Sequence, residues 1–263
     1  MPDRFCLQGR HALVCGASSG IGRAAARVLA ANGAEVTVLA RSVNTLCATV
    51  DELRAAGATA ARFVVTDHDD RAALAGTVRG LLETHGPVHI LINNSGGPLP
   101  GALMDVGEED FDAAFGRHLY ASHLLAKLLV PGMVAAGWGR IVNVLATSIR
   151  EPLAGLGVSN AVRAAVAAWA KTLSRELPPG VTVNNVLPGL VDTERLAIVI
   201  ERLAEASGRQ PEELRGQWVA GVPEGRIGRV DELAGAILFL ASDAASYVRG
   251  VSLVVDGGRL ASI

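Results

Sequence analysis

Val14-Cys15-Gly16-Ala17-Ser18-Ser19-Gly20-Ile21-Gly22-Arg23-Ala24 is the stretch that decides the fold of this chain. An apolar run over 11–15 leads into it, and an alanine-rich pattern of helical period over 23–31 leaves it. Glycines at 16, 20 and 22 permit a turn tight enough to bring backbone N–H groups and a helix N-terminus up to a pyrophosphate. Ser18 and Ser19 add hydroxyl donors at the same place. Gly16, Ser18, Ser19, Gly20, Ile21 and Gly22 are therefore the first candidate binding residues. The competing reading is a plain strand-to-helix turn. Placement between a strand and a helix near the N-terminus favours the phosphate loop.

Composition bounds what such a loop can serve. A chain of 263 residues, half of them hydrophobic, suits one large α/β domain with a sizeable core. A formal net charge of −2 leaves no basic excess, which argues against nucleic acid as the main partner. Cys6, Cys15 and Cys47 have no paired spacing; they read as reduced thiols of a cytoplasmic protein, with no metal framework. Residues 1–10 hold no apolar run of signal length. No apolar stretch reaches ~18 residues without polar interruption, so no membrane span is expected.

Strands and helices alternate along the chain. The first helix is expected over 20–32, closed by Asn32-Gly33. Further strands are expected at 35–40, 61–65, 88–92, 140–145, 181–187 and 252–255. Helices are expected at 45–56, 69–83, 159–177 and 226–241. A long helical region over 108–133 reads as interrupted near Pro131, and 194–222 is a polar–apolar helical segment. This alternation implies an α/β architecture, a single doubly wound parallel sheet of Rossmann type, with ligands at the carboxyl ends of the strands. Arg41 and Ser42 follow the second strand directly, with no acid. A carboxylate there would hold the adenosine 2′-hydroxyl of NAD, whereas an arginine suits a 2′-phosphate. The pattern points to NADP(H) over NAD(H); the alternative is a solvated loop cation.

The spacing G-x-x-x-G-I-G at 16–22 resembles the nucleotide loop of the short-chain dehydrogenase/reductase family, and further motifs extend the resemblance over essentially the whole chain. Asn93-Asn94-Ser95-Gly96 is similar to the family's N-N-A-G with one change, Ala to Ser. Pro188-Gly189-Leu190-Val191-Asp192-Thr193 resembles its P-G-x-x-x-T. The resemblance implies that Asp67 meets the adenine edge and that Asn94, Ser95 and Gly96 border the cofactor. It also implies that Pro188, Gly189, Val191 and Thr193 hold the nicotinamide carboxamide. A substrate lid over about 193–222, a small-molecule substrate and a homo-oligomer, tetramer or dimer, follow from the same resemblance. The apolar stretches 237–240 and 251–255 would supply the oligomer surface, and they fit an ordinary core equally well.

The family's chemistry rests on a tetrad of Asn, Ser, Tyr and Lys, with the Tyr and Lys four apart on one helix face. Anchoring the comparison on 139–143 and 171–177 puts the tyrosine position at Ser159 and the lysine position at Arg163. The serine position falls on Ala146, followed by Thr147 and Ser148, and the asparagine position on His118. All four differ. No slip of register restores the match, because neither Tyr120 nor Tyr247 has a lysine four residues later. Arg163 could hold ribose hydroxyls or an oxyanion, but its pKa is too high for a proton donor. Ser159 lacks usable acidity without a base beside it. His118 has the intrinsic pKa range for acid–base work, or is a packed helix histidine. Thr147 and Ser148 could steady a substrate oxygen or serve loop hydrogen bonding. Tyr120 reads as core or interface.

Three functions fit. One is a divergent NADP(H)-dependent oxidoreductase whose proton comes from His118, water or a substrate group, with positioning carrying much of the barrier. Another is a nucleotide-binding pseudoenzyme or sensor subunit. The third is a non-redox lyase or isomerase; the halohydrin dehalogenases, which resemble the family, also carry arginine at the lysine position. They keep Ser and Tyr and lose the glycine loop, the reverse of this chain.

Overall fold

The computed structural model describes residues 3–262. Within them, apolar runs bounded by glycine turns form β1 (His11–Cys15), β2 (Glu35–Ala40), β3 (Ala61–Val65), β4 (Ile90–Asn93), β5 (Gly139–Val144), β6 (Val181–Pro188) and β7 (Ser252–Val255). They pair in parallel in the order β3-β2-β1-β4-β5-β6-β7. The order reverses between β1 and β4, which opens a crevice at their carboxyl ends. The doubly wound Rossmann architecture expected from the alternation is the one observed.

Between the strands run α1 (Gly20–Ala31), α2 (Val43–Ala55), α3 (Arg71–His85), α4 (Glu108–Phe115), α5 (Ala121–Ala135), α6 (Gly157–Glu176), α7 (Glu194–Ser207), α8 (Pro211–Ala220) and α9 (Val230–Ala241). The two-residue period of the strands splits the core. Ala12, Val14, Val36, Val38, Ile90 and Ile92 pack with α1, α2 and α9 on one face. Leu13, Cys15, Leu39, Leu91, Ile141 and Val183 pack with α3, α5 and α6 on the other. Each fully buried leucine or isoleucine contributes about 1.5–3 kcal/mol relative to exposure. Burial also pushes the Cys15 thiol up to about 12, which leaves it inert.

Three expectations change. Pro131 does not interrupt its helix; α5 passes through it at the cost of one backbone hydrogen bond. The discontinuity lies earlier, in a π-helical turn at Gly116–Tyr120 that joins α4 to α5. The segment 194–222 is two helices, divided where Gly208 adopts a left-handed φ of 65° and Pro211 starts the next helix.

A ladder of buried side-chain amides ties β4 through β7 near the crevice. Asn93, Asn143, Asn185 and Ser252 occupy register positions on adjacent strands. Asn93 Nδ2 donates to Asn143 Oδ1 (2.8 Å), Asn143 Nδ2 to Asn185 Oδ1 (2.8 Å) and Asn185 Nδ2 to Ser252 Oγ (3.0 Å). Because each amide donates to the next residue in line, the ladder fixes the strands' relative depth.

Candidate active site

The crevice is a cleft of about 530 Å³ lined from the β1–α1 turn across to α6 and α7, within the range of small-molecule and cofactor sites. Its floor is the glycine turn. Gly16 has φ +58°, and a Cβ there would lie 2.7 Å from the Asn94 carbonyl oxygen. Asn94 Nδ2 donates to the carbonyls of Cys15 (3.3 Å) and Gly16 (3.2 Å), clamping the turn from the end of β4. Ser19 is the N-cap of α1, but its hydroxyl makes no capping bond and the first turn holds no acid. The first N–H groups and the positive helix end are left for an external anion. These features fit a dinucleotide pyrophosphate.

Gly16, Ser18, Ser19, Gly20, Ile21, Asn94, Ser95, Gly96, Pro188, Gly189, Val191 and Thr193 all line the cleft. Gly22, expected among the contact residues, does not. It lies beneath the turn, where a Cβ would stand 2.7 Å from Asn94 Nδ2 and closer still to the Gly16 carbonyl. Its missing side chain is what lets α1 approach the turn. Thr193 caps α7 by accepting from Leu196 N (3.2 Å) and donates to the Val191 carbonyl (3.3 Å). Its methyl lies 3.3 Å from where a Gly20 Cβ would be, so the end of β6 closes over the glycine turn.

Beyond the ends of β2 and β3, Arg41, Ser42 and Asp67 share one rim of the cleft. The Arg41 side chain is 72 % exposed, with Nη1 3.7 Å from Asp67 Oδ2. Such a loose, solvated pair is worth little and leaves the guanidinium free to turn to a phosphate.

At the opposite end, α6 brings Ser159 and Arg163 to the cleft wall, four residues apart. Arg163 donates through Nη1 to the carbonyls of Val144 (3.0 Å) and Leu145 (2.9 Å), and through Nε to Ser159 Oγ (3.2 Å). Its fork is thus fixed to the end of β5, and Nη2 has no protein acceptor among the described residues. Burial, followed by the charge of Arg195, lowers its pKa to about 10, so it stays cationic at neutral pH. Thr147 and Ser148 form a short turn after β5, are buried and line the cleft.

His118 is not in the cleft wall. It sits in the π-turn with Nδ1 hydrogen-bonded to Ser95 Oγ (2.8 Å), and it borders a small cavity of about 10 Å³ that shares Asn94, Ser95 and Leu145 with the cleft. Its Nε2 is buried without a protein partner. Burial first, then the charges of Arg163 and Arg117, drive its pKa down to about 2. The ring is therefore neutral at working pH and cannot donate a proton as imidazolium, contrary to its intrinsic suitability for acid–base work. It positions Ser95. Tyr120 (50 % exposed) and Tyr247 lie outside the cleft.

Sequence reasoning passed over several cleft residues. Gly97, Arg117, Leu153, Leu156, Arg195, Trp218 and Arg259 all contribute to its wall. Arg195 stands two residues after Thr193, and that proximity was the available signal. Among the described residues there is no cluster of three or more His, Cys, Asp or Glu able to hold a metal ion. No helix among them is long and apolar enough to cross a membrane.

Comparison with known proteins agrees with this geometry. A model of the enoyl-(acyl carrier protein) reductase family matches residues 16–259. Gluconate 5-dehydrogenase of Gluconobacter oxydans is 34% identical over 100% of this chain and 99% of its own length. The 3-oxoacyl-(acyl-carrier-protein) reductase of Escherichia coli is 34% identical over 96% of this chain and 98% of its own. L-sorbose reductase of Gluconobacter frateurii, solved with NADPH and L-sorbose, superimposes with a TM-score of 0.92 at 28% identity, covering 99% of this chain and 100% of that one.

Proposed function

This chain belongs to the short-chain dehydrogenase/reductase family of oxidoreductases, and on that premise we propose that it is an NADP(H)-dependent carbonyl reductase working without the usual tetrad. The single observation that carries this reading is the fixed fork of Arg163, which aims an unpaired Nη2 into a cleft whose cofactor cradle is whole. NADPH, when bound, supplies a hydride to the carbonyl carbon. Gly16 to Gly20, Asn94 to Gly96 and Pro188 to Thr193 would hold it, with Arg41 on the 2′-phosphate. Arg163 Nη2 then stabilises the negative charge that grows on the carbonyl oxygen, in a site already organised for it. Ser159 accepts from Arg163 and keeps its own O–H for the same oxygen. Thr147 and Ser148 add hydroxyls to that wall. The proton that completes the alcohol comes from water in the open cleft, since His118 is neutral and stands off the cleft wall.

The test is NADPH oxidation across a panel of ketones and aldehydes. Arg163→Met should lower kcat about 100-fold, the usual loss on removing an oxyanion donor, and leave the fold intact by thermal melt. Saturable NADPH binding without oxidation by any carbonyl would sink the reading. It would favour the second one, a nucleotide-binding pseudoenzyme or sensor subunit, which the exclusion of both tyrosines from the cleft supports. The double variant Ser159→Tyr with Arg163→Lys separates the two. Activity gained over a silent wild type marks a pseudoenzyme; activity lost from a working wild type marks an atypical enzyme.

A homo-oligomer in the cytoplasm, with α7 and α8 as the substrate lid, completes the proposal. Leu196, Val199 and Trp218 of those helices already face the cleft. β7, at the sheet edge, leaves its residues only half-buried, which suits pairing with a second copy.

A further inference from the structure

Arg163 and Arg195 meet across the cleft at Gly97. Arg163 Nη2 and Arg195 Nη2 each lie 3.3 Å from the point a Gly97 Cβ would occupy, so at most twice that distance separates them. Neither guanidinium is paired with a carboxylate among the described residues. Arg163 is satisfied on its other nitrogens by backbone carbonyls and Ser159, and Arg195 donates to the Pro98 carbonyl. Glu194 borders the same cleft but is exposed and makes no ion pair with either. Two like charges this close, both drawn out of water, repel unless an anion lies between them. Burial lowers the pKa of both arginines, and the charge of Arg195 adds to the lowering at Arg163. Gly97, by lacking a side chain, keeps the space between them open.

We propose that Arg163 and Arg195 form a subsite for a carboxylate, and that the carbonyl substrates of this protein are oxo acids. The proposal deepens the reductase reading and rests on it for the word substrate. A planar carboxylate spans two donors at this separation and accepts from both, as guanidinium–carboxylate pairs do. Arg163 then reaches the carboxylate and the nearby carbonyl oxygen, which sets the two functional groups close together on the substrate. The other source of paired anionic oxygens is the cofactor diphosphate. Arg195 turns toward Gly97 and Pro98 instead of the glycine turn, which favours the substrate.

The experiment has a binding arm and a turnover arm. Calorimetric titration of the NADP+-loaded protein with pentanoate and with pentanamide reads the subsite without any chemistry. Pentanoate should bind at least tenfold more tightly, the usual margin for a charge-assisted bond over a neutral one. In turnover, 2-oxopentanoate and 4-oxopentanoate are compared with their methyl esters, and at least one acid should exceed its ester about tenfold or more in kcat/KM. Arg195→Gln should collapse both preferences, Arg195→Lys should restore part of them, and NADPH affinity should stay within about twofold in each. Gly97→Ala should also collapse them, because its methyl fills the gap and its backbone φ suits alanine. Equal binding of acid and amide, esters that match their acids, or preferences untouched by Arg195→Gln overturn the subsite. So does pentanoate that competes with NADP+, which would assign the arginines to the cofactor diphosphate. Carboxylate binding with no carbonyl turned over would keep the subsite and sink the reductase reading, whereas brisk reduction of neutral ketones with no carboxylate preference would do the reverse.

Discussion

Replacing Arg41 by alanine should erase most of the preference for NADPH over NADH. The Arg41 side chain is 72 % exposed and only 3.7 Å from Asp67 Oδ2, so on the proposed reading it would meet a 2′-phosphate in water-rich surroundings. A charge-assisted hydrogen bond is worth about 1.5–3 kcal/mol, and solvent screening at this exposure brings the expectation to about 1–2 kcal/mol, or roughly 5- to 30-fold in Kd. Removing the guanidinium also exposes the phosphate to the unneutralised Asp67 carboxylate, which pushes the loss toward the upper end. NADH carries no 2′-phosphate, and its affinity should hold. Fluorescence titration with each cofactor, at about 0.1 M and about 1 M salt, reads both effects. High salt should shrink the wild-type NADPH/NADH ratio toward that of the variant. The reasoning is refuted if both cofactors weaken equally, or if the ratio is unmoved by the substitution, for either result would make Arg41 a bystander on the rim.

Gly22→Ala drives a methyl into the Gly16 carbonyl and the Asn94 amide; overpacking of this kind costs about 1–3 kcal/mol, and NADPH affinity should fall about tenfold or more, a result that an unchanged titration would contradict. Asn143→Leu leaves Asn93 Nδ2 and Asn185 Oδ1 unpaired in the sheet, a cost of about 2–5 kcal/mol that calorimetry should register as a Tm lower by roughly 5–15 °C. Acidification should weaken the fold: burial, then Arg62, lowers His11 to about 4 from its ordinary 6.5, so the unfolded chain takes up that proton first as pH falls. Stability is then present above pH 6.5 and drains between pH 6.5 and 4, by roughly 3 kcal/mol from His11 alone. His68 and His89 shift in the same direction, and a urea midpoint that holds level from pH 6.5 to 4.5 would count against the whole assignment.

What the sequence made legible was everything governed by local period and by glycine. Strand positions followed from short apolar runs, and the cradle followed from three glycines between a strand and a helix. What escaped has a physical cause in each case. The π-turn at Gly116–Tyr120 inserts an extra residue into a helix, and no reading at 3.6 residues per turn can see it. His118 sits in that turn, hydrogen-bonded to Ser95 and off the cleft wall, and burial there makes its ordinary pKa a poor guide to its chemistry. Gly16 and Gly22 share one motif but answer different steric demands, a left-handed φ and a close helix approach, which the spacing alone does not distinguish. The place of Arg195 depends on Gly97, almost a hundred residues earlier in the chain, which no local pattern connects. Only the fold brings them together.

The cradle and the chemistry are held by separate parts of the structure, which is why one can change without the other. The cradle depends on backbone N–H groups, on Asn94 spanning two carbonyls and on the absence of two side chains. Ser159 and Arg163 touch none of these; their contacts run to each other and to the end of β5. Arginine at 163 also does something lysine could not. A lysine ammonium is a compact point charge, and satisfying the Val144 and Leu145 carbonyls would leave it a single hydrogen for the cleft. The guanidinium meets both carbonyls with Nη1 and Ser159 with Nε, and still presents both Nη2 hydrogens. On the proposed reading, with no tyrosine to supply a proton, a rigid fork that stabilises charge is the more useful group at that place. The pair Ser159 and Arg163 is therefore consistent as a unit, and restoring lysine alone would remove the fork without returning the acid.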